Sequence, residues 1–248
     1  MTTHLYCILP HDMGAAIPPG LSGLAGERVR VLEIDGLVAW VSDARTIPVS
    51  VDGVRAHDAV VEAALDTGTT PVPARFGQRF ASDDACREAL RNRAASVESV
   101  LADVQGTVEM TLILTPSTRR MIRDLEPVLP EMFDTDTEAP GRRYLDSLRR
   151  REAVTGAVKS AMDELAATLN RAAGTLVRRA TVLEQVSPLP LRTISHLVAR
   201  DDVSAYKSAV TAVEAGGELR FLLIGPRAPY SFSALTDAGG RHGMNLAD

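Results

Sequence analysis

At 248 residues, of which 45% are hydrophobic and 24% charged, the chain has ordinary globular composition and a length suited to one or two domains of roughly 150 residues. Its formal net charge of −5 leaves no basic footprint for counterion exchange with nucleic acid, which excludes nonspecific nucleic-acid binding. MTTHLYCILP lacks a positive start followed by a long apolar stretch, and no run approaches the ~18 apolar residues of a membrane span; the expectation is a cytoplasmic protein with no membrane partner.

Leu5 to Leu9 is an apolar run stopped by Pro10, a short buried strand. Residues 11 to 26 read as loop, because their glycines lead into the strand-like VRVLEI and a phosphate cradle would have to follow a strand and open a helix. Val29 to Ile34 and Leu37 to Val41 flank Asp35-Gly36, the dipeptide whose tolerance of positive φ makes a two-residue hairpin turn. Trp40, the only tryptophan, reads as a core or domain-contact residue.

From Val54 to Leu65 the positions Val54, His57, Val61 and Leu65 share one helical stripe, so His57 is expected to face inward. A histidine on an apolar face, with no partner acid or nucleophile in the pattern, is a hydrogen-bonded core residue before it is a catalyst. After it comes TPVPARFGQRF, residues 70 to 80. Pro71 and Pro73 withhold two N–H donors and exclude a central strand. Arg75, Phe76 and Gly77, followed by Arg79 and Phe80, then interleave cations and rings around a glycine that permits a sharp turn. The expectation is a buried corner, hydrogen-bonded by His57.

Ser82 or Asp83 can cap one helix whose apolar positions are Cys86, Leu90, Val97, Leu101 and Val104, ended by Gly106. Cys7 and Cys86 lack CxxC spacing, so they imply neither a zinc site nor a disulfide, and reduced buried thiols are expected. The pattern to residue 105 is thus a small α/β domain with a β-hairpin and two helices.

Residues 106–248 form the expected second domain. VEMTLIL, 108 to 114, is a strand; Pro116, Pro127, Pro130 and DTDTEAPG make an interrupted acidic connection without the glycine and terminal glutamate of a calcium loop. Arg142 to Ala173 reads as one long amphipathic helix with Arg149, Arg150 and Arg151 on its polar side. Two extended runs, Leu176 to Val186 and Leu191 to Val198, then precede a helix through Val203, Tyr206, Val210 and Val213, and a last strand from Leu219 to Ile224. The order β, α, β, β, α, β is the ferredoxin-like arrangement, so the fold class is α+β with two domains. Beyond it, Gly225, Pro226, Pro229, Tyr230 and Phe232 are expected to lead the chain out of the sheet and bury their rings elsewhere.

His57, Val60 and Glu62, then Pro71, Pro73, Arg75, Phe76 and Gly77, and near the far end Gly225, Pro226, Pro229 and Tyr230, together resemble the gas vesicle protein F and L family. Arg227 stands where that pattern has a tryptophan, and Ala228 where it has a proline. The resemblance implies an accessory, structural function in forming gas vesicles. The implied partners are the small hydrophobic gas vesicle shell protein and other gas vesicle accessory proteins, with no cofactor, no metal and no catalysis. His57, Arg75, Phe76, Gly77, Gly225, Pro226, Pro229 and Tyr230 would be structural or partner-binding residues. The sequence carries no P-loop, dinucleotide fingerprint, HExxH or G-x-S-x-G motif. A ferredoxin-like sheet nonetheless hosts many activities, so a small-molecule regulator or enzyme with an interdomain cleft stands as the alternative.

Overall fold

The fold was read from a computed structural model, which describes residues 2–11, 16–44, 50–117, 140–186, 190–216 and 219–233, with the backbone alone at 44, 140–155, 184–186 and 190. It is a mixed α/β chain with two antiparallel sheets and, among the described residues, five α-helices. Two compact units emerge: the first holds Met1–Glu109, Leu197–Arg200 and the chain from Gly225 on, the second Met110–His196 and Asp201–Ile224. Residues 225–233 therefore group with the first unit, whereas the sequence division placed them in the second.

In the first unit, β1 (Thr2–Pro10) lies inside a sheet of order β2-β3-β1-β4, formed with β2 (Arg30–Ile34), β3 (Leu37–Ala44) and β4 (Val72–Pro73); β5 (Arg79–Phe80) also pairs with β1. The β2–β3 hairpin turns at Asp35 and Gly36, with φ of 35° and 89°, and pairs Ile34 with Leu37. Helix α1 (Val51–Asp66) covers one face of this sheet, and α2 (Asp83–Arg91) with α3 (Ala94–Val104) covers the other. A register shift between Leu5 and Cys7 in the β1–β3 ladder inserts one extra residue. Consequently Tyr6 and Cys7, though adjacent, both enter the α1-side core with Leu9, while Leu5 and Ile8 enter the opposite core with Leu90 and Leu101.

Local chemistry fixes the helix ends. Ser50 and Ser82 accept hydrogen bonds from Gly53 N (3.0 Å) and Ala85 N (3.1 Å), satisfying donors that the helix cannot. Between the two caps the expected single helix is two: Arg93, at φ −119° and ψ 13°, separates α2 from α3. The spacing of seven from Leu90 to Val97 fits a continuous stripe, and Arg91-Asn92-Arg93 supplies no apolar residue whose burial would report the break. Among the described residues the first unit thus has three α-helices where the sequence pattern suggested two. Val54 also departs from expectation: it is 45% exposed, and the buried stripe of α1 runs His57, Val60, Val61, Ala64, Leu65.

The second unit has element order β6 (Thr107–Pro116), α4 (Pro140–Ala173), β7 (Val177–Val186), β8 (Pro190–Ala199), α5 (Val203–Thr211), β9 (Leu219–Arg227). Its strands lie in the order β7-β8-β6-β9. His196 on β8 ties both helices down: Nε2 donates to Asn170 Oδ1 of α4 at 2.9 Å and Nδ1 accepts from Tyr206 Oη of α5 at 2.8 Å. Strand β9 continues through Gly225 and Pro226 to Arg227, three residues beyond the expected end, so the Gly-Pro pair does not lead the chain out of the ladder. The acidic connection from 118 to 139 and the side chains of Arg149, Arg150 and Arg151 lie outside the described residues.

Candidate functional site

The segment from Thr70 to Phe80 folds against β1. Ala74 N donates to Tyr6 O at 2.8 Å, Leu5 N to Gln78 O at 3.1 Å, and β4 and β5 pair with Ile8-Cys7 and His4-Thr3 respectively. Gln78 N closes a four-residue turn onto Arg75 O at 3.2 Å. Gly77 occupies the third position of that turn with φ +88°, the position where a type II turn requires positive φ. Arg75 and Gly77 are exposed, Phe76 is half-buried and Phe80 is buried. The corner is therefore a surface turn with a buried root, not the wholly buried one expected.

His57 reaches this root from α1. Its Nε2 lies 3.0 Å from the Ala74 carbonyl and its Nδ1 2.9 Å from His4 Nε2. A carbonyl only accepts, so His57 Nε2 carries the proton; in the neutral ring Nδ1 then accepts from His4 Nε2–H. One backbone oxygen thus fixes the tautomers of both rings. Burial pushes His4 down to about 3, helped by His57 and Arg79, and burial likewise lowers His57. Tyr6 stacks edge-on against His4 at 4.7 Å, and Phe76 against His57 at 5.8 Å. The Tyr6 hydroxyl accepts from Leu24 N at 2.7 Å and meets Ser42 Oγ at 2.8 Å. The two neutral imidazoles thus tie β1, α1 and the start of the turn together.

The second motif returns to the same helix. Arg227 pairs with Asp58 and, at 3.5 Å, with Glu62, and Ala228 N donates to Glu62 Oε1 at 3.3 Å. Ser231 gives Glu109 two bonds, from N at 2.8 Å and from Oγ at 2.7 Å. Phe232 enters the α2–α3 side core and Tyr230, half-buried, packs on the α1 side core that holds Trp40. Pro229 is buried, whereas Pro226 is exposed and Gly225 intermediate. His57, Ala74 and the turn of Arg75, Phe76 and Gly77 thus form one cluster, and Arg227, Ala228, Tyr230 and Ser231 a second, both within the first unit. Arg227 forms ion pairs that an indole could not make.

Sequence reasoning missed His4, Asp58 and Glu109. His4 alternates with Tyr6 along β1 and Asp58 lies four residues before Glu62 on one helical face, signals that identify a face but not a partner. An open groove of about 650 Å³, lined in part by Pro18, Pro19, Leu21, Arg28 and Val31, is a separate feature of the first unit. No group of three or more potential metal ligands occurs among the described residues, and none of the helices there is long and apolar enough to cross a membrane.

Residues 2–234 match the family model of the gas vesicle synthesis protein GvpL/GvpF. The gas vesicle protein F of Haloferax mediterranei is 28% identical over 220 residues, covering 86% of this chain and 85% of that protein. The gas vesicle protein L1 of Halobacterium salinarum is 26% identical over 253 residues, 93% of this chain and 89% of that one. The crystal structure of the gas vesicle protein GvpF from Anabaena superposes with a TM-score of 0.74 at 18% identity, over 97% of this chain and 99% of the other.

Proposed function

This chain belongs to the gas vesicle synthesis protein GvpL/GvpF family, and from that premise we propose that it serves gas vesicle formation as a non-catalytic accessory protein of the cytoplasm. Its partner in this reading is the small hydrophobic shell protein or a fellow accessory protein. The single observation that carries the reading is the family match across residues 2–234. The physical rationale is that a shell subunit that assembles through strands and apolar surface must have those edges covered until it is incorporated.

The two motifs that bear the resemblance are spent inside the first unit: His57 on the Ala74 carbonyl, and the tail on α1 and Glu109. They are read as the scaffold, with Arg75, Gly77 and Pro226 the members left exposed to a partner. The strand order of the second unit, with its βαββαβ sequence, supports a ferredoxin-like reading of that unit, used here as a binding frame.

The test is co-purification of the affinity-tagged chain with the shell protein, each co-expressed alone and together with the other accessory proteins. Recovery of shell or accessory protein at a defined ratio supports the proposal. Recovery of neither, with a metabolite that raises the melting temperature instead, would replace it by a ligand-binding function.

A further inference from the structure

We infer that β7 pairs with β7 of a second copy of this chain, extending the four-stranded sheet across a two-fold axis at Thr181. Strand β7 ends the order β7-β8-β6-β9, so among the described residues no strand pairs with its outer edge. It is ten residues long and free of proline, whereas edge strands are normally kept short, kinked or covered. Every residue from 178 to 183 is exposed, although side chains alternate between faces and a one-sided cover would hide every second one. Val182 and Leu183, at 52% and 61% exposure, therefore leave apolar surface open on both faces. A single helix or loop laid on one face cannot cover both; a strand added at the edge contacts both at once.

The sequence of β7, VRRATVLEQV, selects its own copy as that strand. In a two-fold antiparallel pair, residues equidistant from the axis face each other on the same side of the sheet. With the axis at Thr181, Thr181 meets its own copy, Ala180 meets Val182, and the register sets Arg178 opposite Glu184, twice by symmetry. On the other face Arg179 falls opposite Leu183, where its aliphatic stem covers an apolar neighbour. No like charges face each other in this register. An axis at Arg179 would set that residue against itself, one at Ala180 would set Arg178 against Val182, and one at Val182 would put Glu184 opposite Ala180. Charge matching across the pair thus chooses both the occupant and the register. The inference stands on the second unit alone and is independent of any shell-protein partner.

The test is sedimentation of the purified full chain over a micromolar concentration series, with wild type, Arg178→Glu, and Arg178→Glu combined with Glu184→Arg. Position 178 is exposed, and far-ultraviolet circular dichroism verifies that each variant keeps the fold. The expected result is a concentration-dependent dimer that Arg178→Glu weakens at least about tenfold, since two facing pairs become like-charged. The doubly exchanged chain returns to within about threefold of wild type. In parallel, Thr181→Cys joins two copies through a short thiol cross-linker, while Val177→Cys does not. A chain that stays monomeric throughout, including one whose edge is filled only by another protein's strand, overturns the inference. So does a dimer indifferent to Arg178→Glu or one that the exchange fails to restore.

Discussion

His4 Nε2 meets His57 Nδ1 at 2.9 Å, and both rings are ordered by a single acceptor, the Ala74 carbonyl 3.0 Å from His57 Nε2. The contact joins β1, α1 and the start of the RFG turn with groups that are useful only while neutral. A proton added to His57 Nδ1 would turn the acceptor of this pair into a donor facing a donor.

Acid should therefore loosen the fold before it titrates carboxylates. His4, His57 and His196 are all depressed in the folded chain, His4 to about 3 and His196 to about 4, with burial the first cause in each. The unfolded chain then binds protons first as pH drops below the ordinary value of 6.5. Their contribution is fully present above that value and is lost as pH falls toward the depressed ones. The expected slope is about 1.4 kcal/mol per pH unit for each of His4 and His196 between roughly pH 6 and 4.5, and His57 adds to it in the same direction. Urea unfolding at stepped pH measures it; a stability unchanged from pH 7 to 5 would contradict the locked tautomers.

The turn makes a prediction about backbone alone. A Cβ on Gly77 would meet nothing within 4 Å, so any cost of Gly77→Val comes from φ +88° and not from a clash. The expected loss is about 1 to 3 kcal/mol, with Gly77→Ala at the lower end because it lacks the branch at Cβ. Gly23→Ala is the converse: its Cβ would fall 2.0 Å from Tyr6 Oη, in a site closed by Leu24 N and Ser42. Thermal unfolding of the three variants separates strain from collision, and a Gly77→Val protein melting with wild type would show the turn to be replaceable.

The tail is integral to the first unit. Glu109, 6% exposed, accepts both Ser231 donors, and Glu109→Ala leaves the Ser231 amide without its acceptor, a loss of about 1 to 3 kcal/mol. Phe232→Ala empties part of the α2–α3 core at a cost of about 3 to 5 kcal/mol. Arg227→Ala costs less, about 1 kcal/mol or under, because the arginine is 41% exposed and its pairs are screened. Deleting residues 226 to 248 should lower the melting temperature more than any of the three. A truncated chain that melts unchanged would place the tail's role outside folding.

Much of this was legible in the sequence where a residue's own backbone preference decides the outcome. Asp35-Gly36 made the hairpin and the two prolines kept β4 to a two-residue edge strand. What was not legible depended on distant partners or on a local irregularity that leaves the apolar pattern intact. The extra residue at Tyr6 reverses the facing of Cys7 and Leu9, and no composition or spacing marks it. The break at Arg93 hides within a seven-residue gap. His57 was readable as inward, yet its partner His4 is 53 residues away. Glu109, read within a strand, binds a serine 122 residues later, a pairing that only the return of the tail creates.

The most direct measurement of the central claim is vesicle formation in a gas-vesicle-producing host from which this chain's gene has been deleted. Vesicles are counted by electron microscopy after restoring either wild type or the Phe232→Ala chain. The account predicts few or no intact vesicles in the deletion strain, full recovery with wild type, and reduced recovery with Phe232→Ala in proportion to its loss of folded protein. A deletion strain that forms vesicles at the normal number and size would contradict it.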